Sequence, residues 1–262
     1  MQLEVTGLSR EEVNRFHRDG FIIAPYRLSA TDVDILSDGI SRMVALHPEK
    51  RNEPISSGHF RHIDAEGREF SLMQFCRDER LLDMVESLHG PDLALWTTTV
   101  FERPAYEGVA TPWHQDGQYW PIYPMAGVSA WVAATRVTKE NGCVRVIPGS
   151  HRHQAHSLAT EDRIFPRQTD PAELNNADAV DIELEPGQMM LFDSGLIHGS
   201  WPNHSSQIRR GFVMRYLPTT SFFDHDGKAE YSTDGKPLYA DRALFLVRGG
   251  DKCGRNDFAR NH

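Results

Sequence analysis

The segment Thr111-Pro112-Trp113-His114-Gln115-Asp116-Gly117 sets an imidazole and a carboxylate two residues apart. In an extended chain, residues i and i+2 share a face, so His114 and Asp116 can aim at one ion. A third donor has to come from elsewhere, and His198, behind the apolar run Met189 to Phe192, is the candidate. Two imidazoles and one carboxylate on one side of an ion leave its other positions open. That arrangement suits non-haem Fe(II), which needs room for a co-substrate and O2. Arg209 follows, just ahead of the apolar run Gly211 to Leu217. Its guanidinium is a natural fork for the far carboxylate of a dicarboxylic acid. Arg210 competes with it, because a shift of the strand by one residue exchanges their faces.

H-x-D alone carries little weight in a chain with 13 histidines. For that pair in isolation, a histidine with a local hydrogen bond is the plainer reading. The weight comes from the ordered set of H-x-D, a distant H-G-S and then a basic pair. His151-Arg152-His153 with His156 imitates a second metal motif. It follows the turn Pro148-Gly149-Ser150, and a turn does not hold two histidines on one strand face. The cluster is read as loop, the remaining histidines as surface or hydrogen-bonded groups, and Asp193 as no ligand.

The elements that must position these groups can be outlined. Over about 1–90 the chain reads as helical. Ser9 and Glu12 form an S-x-x-E capping box, and Gly20 stands where that helix should stop. Val33, Leu36, Ile40, Met43 and Val44 recur at helical spacing until Pro48, and Leu81, Leu82, Val85 and Leu88 repeat the pattern. After Pro91 short apolar runs take over, at Leu93 to Phe101, Val128 to Val137, Cys143 to Ile147, Met189 to Phe192 and Gly211 to Leu217. Glu140-Asn141-Gly142, Pro148-Gly149-Ser150 and Glu185-Pro186-Gly187 punctuate them. This predicts one domain over 1–262, with a β core over about 91–220 and an extension over 221–262. His151 to Ala179 and the tail after Ser221 read as long loops, either lids or solvated excursions.

Composition narrows the function classes. A net charge of −9 argues against binding a nucleic-acid backbone or an anionic membrane surface. The N-terminus lacks the basic and apolar regions of a signal peptide, and no apolar run approaches a membrane span. Cys76, Cys143 and Cys253 are scattered and odd in number, which suits a reducing compartment such as the cytosol. No oligomeric partner is evident.

Longer stretches sharpen the reading. Phe16-His17-Arg18-Asp19-Gly20-Phe21, Trp113 to Pro121, Glu140 to His151, Glu185-Pro186-Gly187, His198 to Asn203 and Arg209-Arg210 together resemble the phytanoyl-CoA dioxygenase family. That family includes ectoine hydroxylase and small bacterial hydroxylases, some acting on 2-aminoethylphosphonate. The resemblance implies a mainly β protein with flanking helices around a double-stranded β-helix core, the jelly-roll or cupin-like fold. It implies Fe(II) and 2-oxoglutarate, with O2 consumed, succinate and CO2 released, and ascorbate supportive in vitro. By position, His114, Asp116 and His198 match the metal ligands. Arg209 matches the arginine that pairs with the far carboxylate of 2-oxoglutarate, and Ser200 a serine that hydrogen-bonds it. Trp131 falls near an aromatic that lines the co-substrate, with a core tryptophan as its plainer alternative. A halogenating branch lacks the carboxylate that Asp116 supplies here, so hydroxylation is expected.

The substrate is expected to be a small polar molecule: an amino acid, a compatible solute, an aminophosphonate or a secondary metabolite. Discrimination is expected from Asn52 to Phe75, His151 to Ala179 and the tail, with His62, Phe75, Tyr119, Trp120 and Phe223 as candidate contacts. Two other readings stay open: a cupin-type metalloenzyme that does not use 2-oxoglutarate, and a β-helix module that binds metal or 2-oxoglutarate without turnover.

Overall fold

The computed structural model describes residues 7–160, 167–227 and 239–260, and at Tyr119 the backbone only. The N-terminal helices begin and end on local signals. The Ser9 hydroxyl accepts from the Glu12 N–H and the Glu12 carboxylate accepts from the Ser9 N–H, opening helix Arg10–Asp19. Gly20 closes it at φ 82°, a left-handed conformation that costs a residue with a β-carbon energy. Ser29 caps helix Ala30–Leu46, and His47, held out of the helical region by Pro48, ends it. Asp78 caps helix Glu79–His89.

The larger sheet is antiparallel. Its order is Phe21–Ile23, Met189–Asp193, Val128–Ala133, Arg209–Pro218, Leu93–Arg103, Phe245–Arg248, with Ile55–Ser56 also paired to Leu93–Arg103. The smaller sheet runs Val180–Ile182, Val144–Val146, His198–Ser200, Thr111–His114. Facing each other, they make a double-stranded β-helix. Alternation along the large sheet sorts its side chains. Ala130, Val132, Phe212, Met214 and Tyr216 pack against Leu36, Ile40, Met43 and Val85 of the helices. Trp131, Ala133 and Val213 turn the other way, toward Val144, Val146 and Phe192. The helices therefore cover one face of the large sheet and leave its other face to the space between the sheets.

Strand Leu93–Arg103 breaks this alternation once. Arg215 lies opposite Thr97 and Tyr216 opposite Leu95, so Trp96 is an extra residue in a bulge. Leu95 packs on the helix side, whereas Trp96 and Thr97 both line the cavity between the sheets, followed by Thr99, Phe101 and Arg103.

Three expectations need correction. The N-terminal part is not wholly helical, since Phe21–Ile23 and Ile55–Ser56 join the large sheet and His62–Ile63 pairs with Glu69–Phe70. Within His151 to Ala179, Ser157–Ala159 and Arg167–Thr169 form a ribbon. The tail supplies strand Phe245–Arg248, held by Arg248 to Asp83 at 2.7 Å and Glu86 at 2.8 Å. Such short strands owe their place to the open edge that pairs with them, which no two-residue periodicity can reveal. No helix among the described residues is long and apolar enough to cross a membrane.

Candidate metal and co-substrate site

His114 ends the strand Thr111–His114, and His198 begins the strand His198–Ser200 directly opposite it. Antiparallel pairing thus makes cross-strand neighbours of two histidines far apart in the chain, with ring centroids 4.2 Å apart. Asp116 is not on the strand as expected. It opens a short 3-10 turn, Asp116–Tyr119, after extended Gln115. Facing still alternates across that step, and the buried Gln115 amide shows why. Its Nε2 donates to the carbonyls of His153 (2.7 Å) and Gly195 (2.6 Å), and its Oε1 accepts from the Ala155 N–H (2.9 Å) and the Gln118 amide (2.7 Å). With Gln115 pinned behind the strand, His114 and Asp116 face forward.

One donor atom from each of His114, Asp116 and His198 lies within 4.8 Å of the others, and among the described residues no other such group of three or more forms. His114 Nδ1 lies 2.9 Å from the Pro112 carbonyl and His198 Nδ1 2.9 Å from the Leu196 carbonyl. A carbonyl only accepts, so each Nδ1 carries the proton and each Nε2 presents a lone pair. Burial, then the neighbouring His114, pushes the His198 imidazole down to about 4, which keeps it neutral. Burial alone would raise the Asp116 carboxyl. Arg215, with the two neighbouring histidines, outweighs it and holds Asp116 well below the usual carboxylate range. Arg215 reaches Asp116 Oδ2 at 3.3 Å through Nε and Nη2 and donates to Thr99 Oγ1 at 2.8 Å. Two imidazoles that present Nε2 and an ionised carboxylate are a donor set that fits Fe(II).

The three open into a cavity of about 360 Å³ between the sheets. Ser200, Trp131 and Arg209 line it too. The Arg209 guanidinium, 2% exposed, donates only to the Gly142 carbonyl and lies 5.2 Å from the centre of the Trp131 ring. Gly211 makes room for that ring, because a β-carbon there would overlap it. Among the described residues no carboxylate pairs with Arg209. Burial, reinforced by Arg103, pushes it down to about 9. Arg103 sits directly across the strand pair, 1% exposed, donating to Thr111 Oγ1 at 2.6 Å and to the Asn52 carbonyl. Ser200 Oγ accepts from the Thr111 N–H at 3.2 Å, which leaves its own proton to donate. Two buried guanidiniums without a counter-charge among the described residues, beside a hydroxyl, fit one end of a dicarboxylate. Arg210 points away from the cavity, to Glu102 at 2.7 Å and the Ser41 hydroxyl.

The expected substrate contacts divide. Trp120 lines the cavity. Phe75 is buried in the core under the helices, and His62 Nε2 donates to the Ser57 carbonyl, away from the cavity. Phe223 packs behind Trp96, with ring centroids 5.6 Å apart, and does not reach the wall. The Tyr119 side chain lies outside the described residues. The wall also holds Arg103, Arg215, Trp96, Thr97 and Arg242, which the motifs did not indicate. Strand parity alone could have suggested Arg215, which lies on the same face as Arg209, Gly211 and Val213.

A family model described as phytanoyl-CoA dioxygenase (PhyH) matches residues 16–211. The ectoine dioxygenase of Stutzerimonas stutzeri (strain A1501) is 27% identical over 237 residues, covering 82% of this chain and 78% of that protein. The peroxisomal phytanoyl-CoA dioxygenase of Bos taurus is 24% identical over 250 residues, 85% of this chain and 73% of that one. The solved structure of CytC3 with Fe(II) and alpha-ketoglutarate, another name for 2-oxoglutarate, superposes with a TM-score of 0.65 at 25% identity, covering 97% of this chain and 94% of that one.

Proposed function

The chain belongs to the phytanoyl-CoA dioxygenase family, and from that premise we propose that it is a hydroxylase of a small polar molecule. Fe(II) would be held by His114, Asp116 and His198, and the far carboxylate of 2-oxoglutarate by Arg209 with Ser200 and Arg103. Bound Fe(II) and 2-oxoglutarate would supply the activation of O2, with one oxygen atom passing to succinate and the other to the substrate carbon, and with loss of CO2. The protein's share is position and exclusion of water. Trp131 and the opposed sheets wall the co-substrate end, and the carbonyl partners of the two histidines fix their tautomers.

One observation carries this reading: a buried arginine with no acid partner among the described residues opens into the same cavity as a three-donor cluster. A binding site for metal alone has no use for that uncompensated charge, which a dicarboxylate neutralises. Asp116 supports hydroxylation, since the carboxylate occupies the position a halide would need. The free cysteines, two of them buried, suit a reducing compartment, and we place the enzyme in the cytosol. The test is succinate release from 2-oxoglutarate with Fe(II), ascorbate and O2, run against a panel of polar metabolites. Succinate formed in step with a hydroxylated product supports the proposal. Absence of any 2-oxoglutarate binding by the Fe(II)-loaded chain sinks it.

A further inference from the structure

Among the described residues that line the cavity, five are arginines and one, Asp116, is a carboxylate, in a chain whose net charge is −9. Four of the five have partners or a role already. Arg215 sits on Asp116. Arg209 and Arg103 stand together at the proposed co-substrate end. Arg167 is turned onto its own ribbon, donating to the hydroxyl and carbonyl of Ser157 at 2.9 Å each. Arg242 remains.

Arg242 comes from the tail and is half-buried. Its Nη1 donates to Thr97 Oγ1 at 2.7 Å, and its guanidinium lies 5.4 Å from the centre of the Trp96 ring and 5.5 Å from that of Tyr239. Among the described residues no carboxylate pairs with it. Burial lowers its pKa, and the charge of Arg215 acts in the same direction. Trp96 adds an independent sign. It is 2% exposed, lines the cavity, and its indole N–H has no hydrogen-bond partner. Among the described residues the buried indole N–H has no acceptor and the guanidinium beside it has no acid, so both can still donate to an anion. Thr97 lies across the strand pair from Arg215, which holds Asp116, and Trp120 meets Trp96 edge-on at 4.8 Å. This end of the cavity is therefore separate from the Arg209 end and adjoins the three-donor cluster.

We propose that Arg242 and the Trp96 indole N–H form an oxyanion subsite, and that the primary substrate is a small molecule carrying a carboxylate, phosphonate or phosphate group. The anionic head lies at Arg242, and the body runs along Trp120 and Tyr239 toward the metal ligands. A cationic head placed there would meet like charge from Arg242 and Arg215. The assignment rests on the function proposed above, in that 2-oxoglutarate takes the Arg209 end.

The test uses the full chain loaded with Fe(II) and saturating 2-oxoglutarate, without O2. Propanoate, methylphosphonate and neutral propanamide serve as probes, with binding read by calorimetry and tryptophan fluorescence. Wild type should bind at least one anion about tenfold or more tightly than propanamide, and the two anions together distinguish planar from tetrahedral heads. Arg242→Gln should lose that preference by about tenfold while 2-oxoglutarate affinity stays within about twofold. Arg242→Lys, which keeps charge without the fork, should fall between. Trp96→Phe keeps the ring, removes the N–H and should weaken the anion severalfold, and it decides the matter if Arg242→Gln does not fold. Equal binding of propanamide, anion affinity unchanged in Arg242→Gln (a probe held by the metal alone), or an equal loss of 2-oxoglutarate affinity overturns the subsite. A wild type that does not bind 2-oxoglutarate overturns the earlier proposal instead, because probe preference and its dependence on Arg242 are still read with Fe(II) alone.

Discussion

Replacing Arg209 by glutamine should cost the protein its 2-oxoglutarate while leaving the fold in place. Truncating one partner of a desolvated charge pair costs about 2–5 kcal/mol. The structure argues for the middle of that range. Arg209 is 2% exposed, so water cannot replace it, yet Arg103 and the Ser200 hydroxyl remain to hold part of the carboxylate. A loss of about 3 kcal/mol corresponds to roughly a hundredfold weaker binding. Stability should move little. The Gly142 carbonyl loses its donor, a cost of about 1–3 kcal/mol. Removal of a buried charge whose pKa is pushed down to about 9 offsets that cost. Arg210→Gln supplies the control: it breaks a partly exposed pair with Glu102 and should leave 2-oxoglutarate affinity within about twofold. The assay is anaerobic calorimetry of 2-oxoglutarate into the Fe(II)-loaded chain, with melting temperatures measured alongside. A Kd for Arg209→Gln within about threefold of wild type, at unchanged melting temperature, would refute the reasoning. So would a larger loss in Arg210→Gln.

Further outcomes follow from the same geometry. His114→Ala, His198→Ala and Asp116→Ala should each abolish tight, stoichiometric Fe(II) binding, measured as metal content after gel filtration. A variant that keeps a full equivalent clears that residue of ligand duty. Arg215→Met leaves the three donors in place but frees the Asp116 carboxylate to turn, and should weaken metal binding or turnover roughly 10–100-fold, by the usual effect of removing a ligand's support. Unchanged values for both would show that Asp116 needs no brace. The buried imidazole of His59 is held down to about 3 by burial and by the charges of Arg242 and His62. Its folded value lies below the unfolded one, so stability is whole above about pH 6.5 and declines as pH falls toward 3, by roughly 3 kcal/mol at pH 4. His59→Phe should flatten that decline in urea midpoints taken at pH 7 and pH 4, and parallel declines in the two proteins would exclude His59 as the source.

The metal and co-substrate candidates were legible because their spacing survives without coordinates. H-x-D, the distant H-G-S and the strand parity that separates Arg209 from Arg210 are one-dimensional patterns. Much of the substrate side was not. The bulge at Trp96 reverses the parity of its strand, so no alternation rule could place Trp96 and Thr97 on one wall. Arg242 reaches the cavity from a tail whose strand is four residues long, Phe245–Arg248, and takes its position from the edge it pairs with. Phe75 and Phe223 were proposed as contacts for their aromatic character, but burial under the helices and behind Trp96 claims them. The first helix was readable at both ends through Ser9 and Gly20, and the second at its end through Pro48, because such signals act within one turn.

Gln115 has a consequence for anyone mapping this protein by genetics. Its amide is satisfied in both polarities at once, donating to the His153 and Gly195 carbonyls and accepting from Ala155 and Gln118. Glutamate has the same shape but only accepts when ionised, so it would set a charge against two carbonyl oxygens. A collection of random variants ranked by lost activity, or even by lost iron, should therefore return position 115 alongside 114, 116 and 198. The side chain between two ligands would pass for a fourth, although it faces the opposite way. Only a probe of coordination itself, such as the spectrum of bound Co(II), tells a missing donor atom from one that has been turned aside.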